Sequence, residues 1–552
     1  MEQWRLFLAI VLSIFVFFLW EVFFVSHPPA PPQRSDKPVE TQKESREPAP
    51  AEKPAPSGTA VSQTDQAIPE KSFKSVTIES SLYTAEISEK GAALTSFVLK
   101  HYREDVGPKA PLQQLIPGAN HAGMALVRFL DSEPGKWANA RFTTNYDGDR
   151  LAVGQTPQSI SFFWESPEGV VIEKQYTFLP KSYRVNLNVV IKNLTDRPIT
   201  EDLVLTIQNQ MDPDRSRFAF EGPFAYMNGE LEEIDIGDIE EKDTYSGRIQ
   251  WAGICDRYFM TVAVPKDADE SRFMLAHDPE SHMVQVNYLQ PVQQIHAGNQ
   301  DTVHFSLYFG PKRMSTLRQY DDNLEAAINF GFFDIIAKPC LWLMNFIHDH
   351  LIANYGVAII LLTILFKIIF WPLGTKSYKS MAEMKKLQPL MADIRKKYKD
   401  DKKKMNEEVM RLYKTYKVNP MSGCLPMVVQ IPVFIAFYRM LYEAIELRHA
   451  TFMLWINDLS APDRLFQFDI NVPLMLPPYG IPVLTIIMGA TMFLQQKLSP
   501  PPGDPAQAKF MMMMPLVLTV IFINFPAGLV LYWLVNNVIS IAQQYYITKK
   551  HV

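Results

Sequence analysis

The chain has 552 residues, of which 20% are charged and 47% hydrophobic, and a formal net charge of -5. That length admits about two to four domains, and the slightly acidic balance excludes a general polyanion binder. Cys255, Cys340 and Cys424 lie far apart, which excludes a disulfide framework or a cysteine zinc site, so neither metal nor cofactor is expected.

The apolar residues are not spread evenly. Leu6 to Val25 is a twenty-residue apolar run interrupted only by Glu21, long enough to span a bilayer as a helix. A cleaved signal peptide is the rival reading. The exit Val25-Ser26-His27-Pro28-Pro29 has no small-residue cleavage pattern, which favours an anchor over residues 1–25. Residues 26–72 hold ten prolines with Ala, Glu, Ser and Gln, a composition that buries too little apolar area to fold and reads as a disordered tether.

From residue 73 the period becomes two. Val185, Leu187, Val189 and Ile191 alternate with polar neighbours, and Val303, Phe305, Leu307 and Phe309 repeat the pattern. Half-buried antiparallel strands produce this alternation, so residues 73–325 are expected to form a large β-sandwich domain. It carries no HExxH, GxSxG or P-loop; the pair Gly135-Lys136 is followed by Trp137. Sandwiches also bind sugars, so a membrane-anchored carbohydrate-active or carbohydrate-binding protein is an alternative. Residues 326–350 read as an amphipathic helix lying at an interface, with His348-Asp349-His350 as polar residues at its end.

Five further apolar runs follow, at about Ile352–Leu373, Cys424–Tyr442, Ile481–Leu498, Phe510–Phe525 and Ala527–Ile547. With the anchor they make six candidate spans of a polytopic α-helical membrane protein, the core occupying 351–547. Residues 374–420 carry fourteen Lys and Arg against six Asp and Glu, while 443–480 carry two against five. Positive loops stay in the cytoplasm, which places both termini inside, the short tail 548–552 included, and the acidic β domain outside. Apolar spacing within 374–420 predicts a helical hairpin bearing Lys385, Lys386, Arg395, Lys396, Lys397, Lys402, Lys403 and Lys404. That surface suits anionic lipid or RNA, or is simply a solvated positive loop.

Lys367 lies inside the first of these spans. A charge at the bilayer centre costs roughly 2.5–3.5 kcal/mol on insertion scales and marks a functional position. Thr363 stands one turn earlier on the same face, and Gln430, Gln495, Asn524, Asn536, Asn537, Gln543 and Gln544 supply polar company. No Asp or Glu lies in the other four downstream spans. An unpaired cation in a wet cavity suits transient contact with a polar chain better than a proton relay. A secondary transporter would need inverted repeats, and none is evident.

Three strings carry a family resemblance: Val418-Asn419-Pro420-Met421-Ser422-Gly423-Cys424-Leu425-Pro426 with Gln430-Ile431-Pro432-Val433-Phe434, then Leu454-Trp455-Ile456-Asn457-Asp458-Leu459-Ser460-Ala461, and Phe525-Pro526-Ala527-Gly528-Leu529-Val530-Leu531-Tyr532-Trp533. They resemble the YidC membrane protein insertases. The resemblance implies insertion and folding of inner-membrane proteins, without catalysis, in a Gram-negative bacterium. It implies an exported β-supersandwich similar to sugar-mutarotase folds, and a five-helix core around a hydrophilic groove open to cytoplasm and lipid. The groove positions it implies are Lys367, where the family usually has arginine, and Thr363, Gln430, Gln495, Trp533 and Asn536. The partners it implies are nascent inner-membrane proteins, the Sec translocon, the ribosome and targeting machinery, and membrane lipids, with no specific nucleic acid. The chain stops at Val552 with only two terminal lysines, so ribosome contact is expected to rest on the basic loops.

Overall fold

The computed structural model describes residues 73–551 except 117–122, 133–136, 213–218, 267–270, 293, 400, 417, 419–424 and 500–504. The anchor expected at 1–25, the tether at 26–72, Gly135-Lys136 and Cys424 lie outside the described residues.

The two period-two patterns singled out in the sequence pair with each other. Strand Arg184–Asn193 runs antiparallel to Gln300–Pro311, with Val185 opposite Leu307, Leu187 opposite Phe305 and Val189 opposite Val303. Its other edge pairs with Val170–Phe178. These strands form the middle of a nine-stranded sheet, flanked by two five-stranded sheets. Alternation turns the apolar residues inward, where Val185, Leu187, Val189 and Ile191 are fully buried. On the same strands Asn186 bonds to Ser306 and Asn188 to His304, as expected where the other face meets water. One charge is buried outright: the Lys174 ammonium donates to the carbonyls of Gly91, Ala92 and Ala125 at 3.0, 2.7 and 2.7 Å. Those three residues have φ of +66°, +44° and +58°, and these left-handed turns aim the carbonyls at one point. Burial pushes the amine's pKa well down, and the carbonyl cage satisfies its three donors.

Seven longer helices follow: α1 (Asp334–His350), α2 (Tyr355–Lys397), α3 (Lys402–Thr415), α4 (Leu425–Glu443), α5 (Val483–Leu498), α6 (Pro505–Phe522) and α7 (Ala527–His551). Asn354 caps α2 by accepting from the Val357 amide at 3.0 Å. The hairpin expected at 374–420 differs in one respect: no break separates its first arm from the apolar run before it. Gly374 lies inside a continuous 43-residue helix, about 65 Å at 1.5 Å per residue. The Lys, Ser, Met, Ala and Glu residues that follow are good or neutral helix formers. Gly374 instead lets α7 approach, since a β-carbon there would stand 3.1 Å from the Gln543 amide.

Among the described residues, α2 alone is long and apolar enough to cross a membrane; Val483–Leu498 and Lys509–Phe522 are shorter apolar helices. Large apolar side chains line the outside of the bundle, among them Ile368, Ile369, Ile486, Phe493 and Leu516, whereas Thr363, Thr485, Asn537, Ser540, Gln543 and Gln544 are buried. This inversion of the water-soluble pattern suits an apolar solvent.

Arginines join the β domain to the bundle. The Arg257 guanidinium donates to the Tyr442 carbonyl at the end of α4 and lies 3.8 Å from the centre of the Tyr442 ring. Arg448 donates to Gln113 at 2.8 Å. Buried Glu446 faces Arg313 of the β domain at 3.9 Å and accepts from Asn345 of α1 at 3.3 Å; burial raises its pKa.

Candidate functional site: a polar seam between three helices

Lys367 on α2 projects toward α7, where its ammonium donates to the Ser540 hydroxyl at 2.7 Å. The Ser540 hydroxyl in turn donates a hydrogen bond to the Asn536 backbone carbonyl at 2.7 Å. The Asn536 side-chain oxygen accepts from the Gln430 amide of α4 at 2.8 Å. Asn536 and Ser540 are four apart and so share one face of α7. Two sets of hydrogen bonds that meet at Asn536, one on its backbone and one on its side chain, thus join α2, α7 and α4. Lys367 and Gln430 are only half-buried, so the cation is not sealed away.

The seam continues toward the basic arm, where Gln543 donates to the Trp371 carbonyl at 3.1 Å and the Thr375 hydroxyl at 3.3 Å. Toward the β domain, aromatic side chains close it. Phe434 meets Trp533 edge-on at 4.6 Å, Phe437 stacks on Tyr532 at 4.8 Å, and Phe522 meets Trp533 at 5.0 Å. Phe366, next to Lys367, packs edge-on against Phe437 at 5.1 Å. The seam is therefore asymmetric: polar and half-exposed at Lys367 and Gln430, aromatic and packed on the other side.

Of the residues singled out in the sequence, Lys367, Gln430 and Asn536 come together. Trp533 belongs to the aromatic wall. Thr363 is buried and bonds back to the Ile359 carbonyl of its own helix at 2.7 Å, so its hydroxyl is used within α2. Gln495 lies on the α5–α7 contact, where its carbonyl accepts from Ser499 at 3.1 Å and Ser499 in turn accepts from Gln544 at 3.4 Å. Ser540 was not singled out. Its position one turn beyond Asn536, on a 3.6-residue period, is the signal that marks it.

The basic arm stands apart from the seam. Tyr413 of α3 reaches the Met391 sulfur of α2 at 3.5 Å, and Ala382, Leu387 and Met391 are buried. Lys385, Lys386, Lys396, Lys397, Lys403 and Lys404 are exposed, and Arg395 is half-buried; Lys402 lies at the start of α3.

At the β-domain end, two of the quoted sequence strings meet. The Ala527 amide donates to the Ala461 carbonyl at 2.8 Å and the Gly528 amide to Leu459 at 2.9 Å. A β-carbon at Gly528 would stand 3.1 Å from the Leu459 carbonyl, so this position favours glycine. Asp463 accepts from the Leu484 amide in the first turn of α5 and from the Trp455 indole, both at 2.5 Å. Arg464 donates to the Ile523 carbonyl past the end of α6 at 2.8 Å. An acid at one helix start and a base at the other helix end match both dipoles. Of the third string, residues 419–424 lie outside the described residues.

Comparison with known proteins covers nearly the whole chain. A family model described as 60Kd inner membrane protein matches residues 346–552, and one described as YidC periplasmic domain matches residues 75–343. The membrane protein insertase YidC of Syntrophobacter fumaroxidans is 38% identical, over 99% of each chain. That of Nitratidesulfovibrio vulgaris strain DP4 is 39% identical over 100% of each. Among solved structures, an active YidC insertase with its first transmembrane domain resolved is 20% identical, with a TM-score of 0.39 over 86% of this chain and 93% of that one. A putative aldose 1-epimerase from Escherichia coli K12 is 10% identical, with a TM-score of 0.28 over 43% of this chain and 99% of that one.

Proposed function

The chain belongs to the YidC family of membrane protein insertases, and from that premise we propose that it inserts its clients along the Lys367 seam. The observation that carries this reading is the hydrogen-bonded set of Lys367, Ser540, Asn536 and Gln430. A polar flank of a client brought beside it exchanges water for fixed donors and acceptors, so its desolvation cost falls. Lys367 adds a point charge that attracts acidic flanks, without the planar fork of arginine. The client's apolar segment slides over the exposed Ile368 and Ile369 face of α2 into lipid, and burial there, at roughly 25 cal/mol per Å², supplies the drive. No nucleotide chemistry enters.

The finer architecture belongs to the same proposal. Six spans, with both termini on the cytoplasmic side, place the β domain in the periplasm and the basic α2–α3 arm in the cytoplasm. The domain division is 1–25, 26–72, 73–325, 326–350, 351–547 and 548–552. The exposed Phe332, Ile335 and Trp342 around α1 support its lying at the membrane interface. The lysine-rich arm supports contact with anionic lipid, the ribosome and the targeting machinery, and insertion proceeds alone or with the Sec translocon. Similarity to insertases over the full chain favours this reading over a transporter or a carbohydrate-active protein.

The test is insertion of a small two-span client with an acidic translocated loop, scored by protease protection in proteoliposomes. Unmodified protein and Lys367→Arg are expected to insert it, and Lys367→Ala to lose about ten-fold or more, since a hydrogen bond to a charged group contributes about 1.5–3 kcal/mol. Equal insertion by Lys367→Ala would sink the seam mechanism.

A further inference from the structure

The segment 465–481, between Arg464 and α5, is an apolar irregular stretch. In Leu465-Phe466-Gln467-Phe468-Asp469-Ile470-Asn471-Val472-Pro473-Leu474-Met475-Leu476-Pro477-Pro478-Tyr479-Gly480-Ile481, only Asp469 carries charge. Phe466, Ile470, Leu474 and Leu476 are 74%, 71%, 67% and 61% exposed. Phe466 and Leu474 also hold φ of +52° and +67°, a conformation that costs bulky residues free energy and persists only where the surroundings enforce it. A water-facing loop gains nothing by turning four large apolar side chains outward.

We infer that this loop is seated in the lipid of the leaflet at the β-domain end of the bundle. The inference rests on the bundle being membrane-embedded, and three observations support it. First, hydrogen bonds within the chain close the two ends of the loop and occupy part of its backbone, which lowers the cost of contact with lipid. The Leu465 and Ile481 amides and carbonyls exchange bonds of 2.9 and 2.7 Å, and the Phe468 amide donates to Tyr479 at 3.0 Å. The Asn524 side chain accepts from the Leu476 amide at 2.9 Å and donates to the Leu474 carbonyl at 2.8 Å, and Arg464 donates to the Pro478 carbonyl at 2.9 Å. Pro473, Pro477 and Pro478 have no amide to satisfy. Second, the loop is fastened to the ends of α5 and α6, so its apolar surface continues the exposed Ile486, Ile487 and Leu516 surface of those helices. Third, α5 has 16 residues, about 24 Å at 1.5 Å per residue, short of the roughly 30 Å hydrocarbon thickness. An apolar loop at its outer end extends the lipid-facing height without a longer helix. Asp469 then lies at headgroup level.

The test uses the full chain in phosphatidylcholine proteoliposomes, with Cys255, Cys340 and Cys424 replaced by alanine and client insertion retained. A single cysteine at Leu474→Cys or Leu476→Cys carries an environment-sensitive fluorophore. Lipids bearing a nitroxide near the headgroup end of the acyl chain probe burial in the bilayer, and iodide probes water. Ile487→Cys is the lipid-facing control, and Leu194→Cys, on an exposed turn of the β domain, is the water-facing one. The loop labels are expected to show blue-shifted emission and to lose it to the shallow nitroxide but not to iodide. Loss to iodide alone overturns the proposal. Protection from both quenchers overturns it too, because a second copy or another protein surface then covers the loop. If Ile487→Cys escapes the nitroxide, the embedded bundle itself is the reading that fails.

Discussion

The β domain and the helical bundle treat buried polarity in opposite ways. In the domain, the strands around Val185 and Leu307 bury apolar rows and turn Asn186 and Asn188 outward. In the bundle, Ile368, Ile486 and Leu516 face outward, while Ser540, Asn537 and Gln543 are buried. Each region also holds a lysine hydrogen-bonded within the fold. Lys174 is enclosed by three fixed carbonyls and has no remaining capacity. Lys367 is half-buried and bonded to one hydroxyl that can rotate away. The first arrangement serves stability, because an unpaired carbonyl in a dry core is costly. The second leaves an exchangeable partner in a half-exposed seam, which binding requires.

The largest effects should separate those two lysines. Lys174→Met strands the Gly91 and Ala125 carbonyls, while Ala92 keeps its bond from the Tyr176 hydroxyl, and is expected to cost about 2–6 kcal/mol at about 1–3 kcal/mol per buried unsatisfied group. The β-domain unfolding transition, followed by near-ultraviolet circular dichroism, should fall sharply, whereas Lys367→Met should leave that transition in place and lose insertion. A shared loss of the transition would erase the contrast.

The two surfaces differ next. Ile368→Lys places a charge against lipid and should cost about 2.5–3.5 kcal/mol, read as reduced membrane-integrated protein. Leu194→Lys, on an exposed turn of the domain, should change stability by no more than about 0.5 kcal/mol. Equal effects would mean that both surfaces meet water.

Ser540→Ala should weaken insertion by about five-fold, the equivalent of a net hydrogen bond near 1 kcal/mol, with Ser540→Thr restoring it. An unchanged rate in the alanine variant would remove Ser540 from the seam.

A further effect concerns pH. Burial, with Asp256 nearby, pushes Glu221 of the β domain up to about 7 from 4.5. Between those values the folded state holds a proton that the unfolded chain has released. The stability it contributes is complete below about 4.5 and is lost as pH rises through about 7. Thermal unfolding of Glu221→Gln should therefore lose part of the decline between pH 5 and 8, and an unaltered pH profile would exclude this group as its source.

Much of this was legible from periodicity. The rows at Val185 and Val303 mark strands because alternation registers a half-buried sheet directly, although their pairing across more than a hundred residues is not a local property. Lys367 stood out because a charge within an apolar run is costly wherever it points. Thr363 shares its face in a helical projection, yet the Ile359 carbonyl takes its hydroxyl, a local competition common for threonine in helices. Gly374 read as a boundary, but the helix runs through it and the missing side chain makes room for Gln543 of α7.

Composition and period along the chain already mark the surroundings of each region: a period-two, acidic domain, then apolar runs studded with lone polar residues, with a lysine-rich arm among those runs. Composition and period respond to water or lipid residue by residue, so they can be read without contacts. Which polar residues meet is set by packing. Ser540 receives the lysine, Gln430 reaches Asn536 across two helices, and Asn524 and Arg464 fasten an apolar loop. Those partnerships depend on how helices far apart in sequence are rotated and packed against one another, and no spacing along a single chain encodes that rotation.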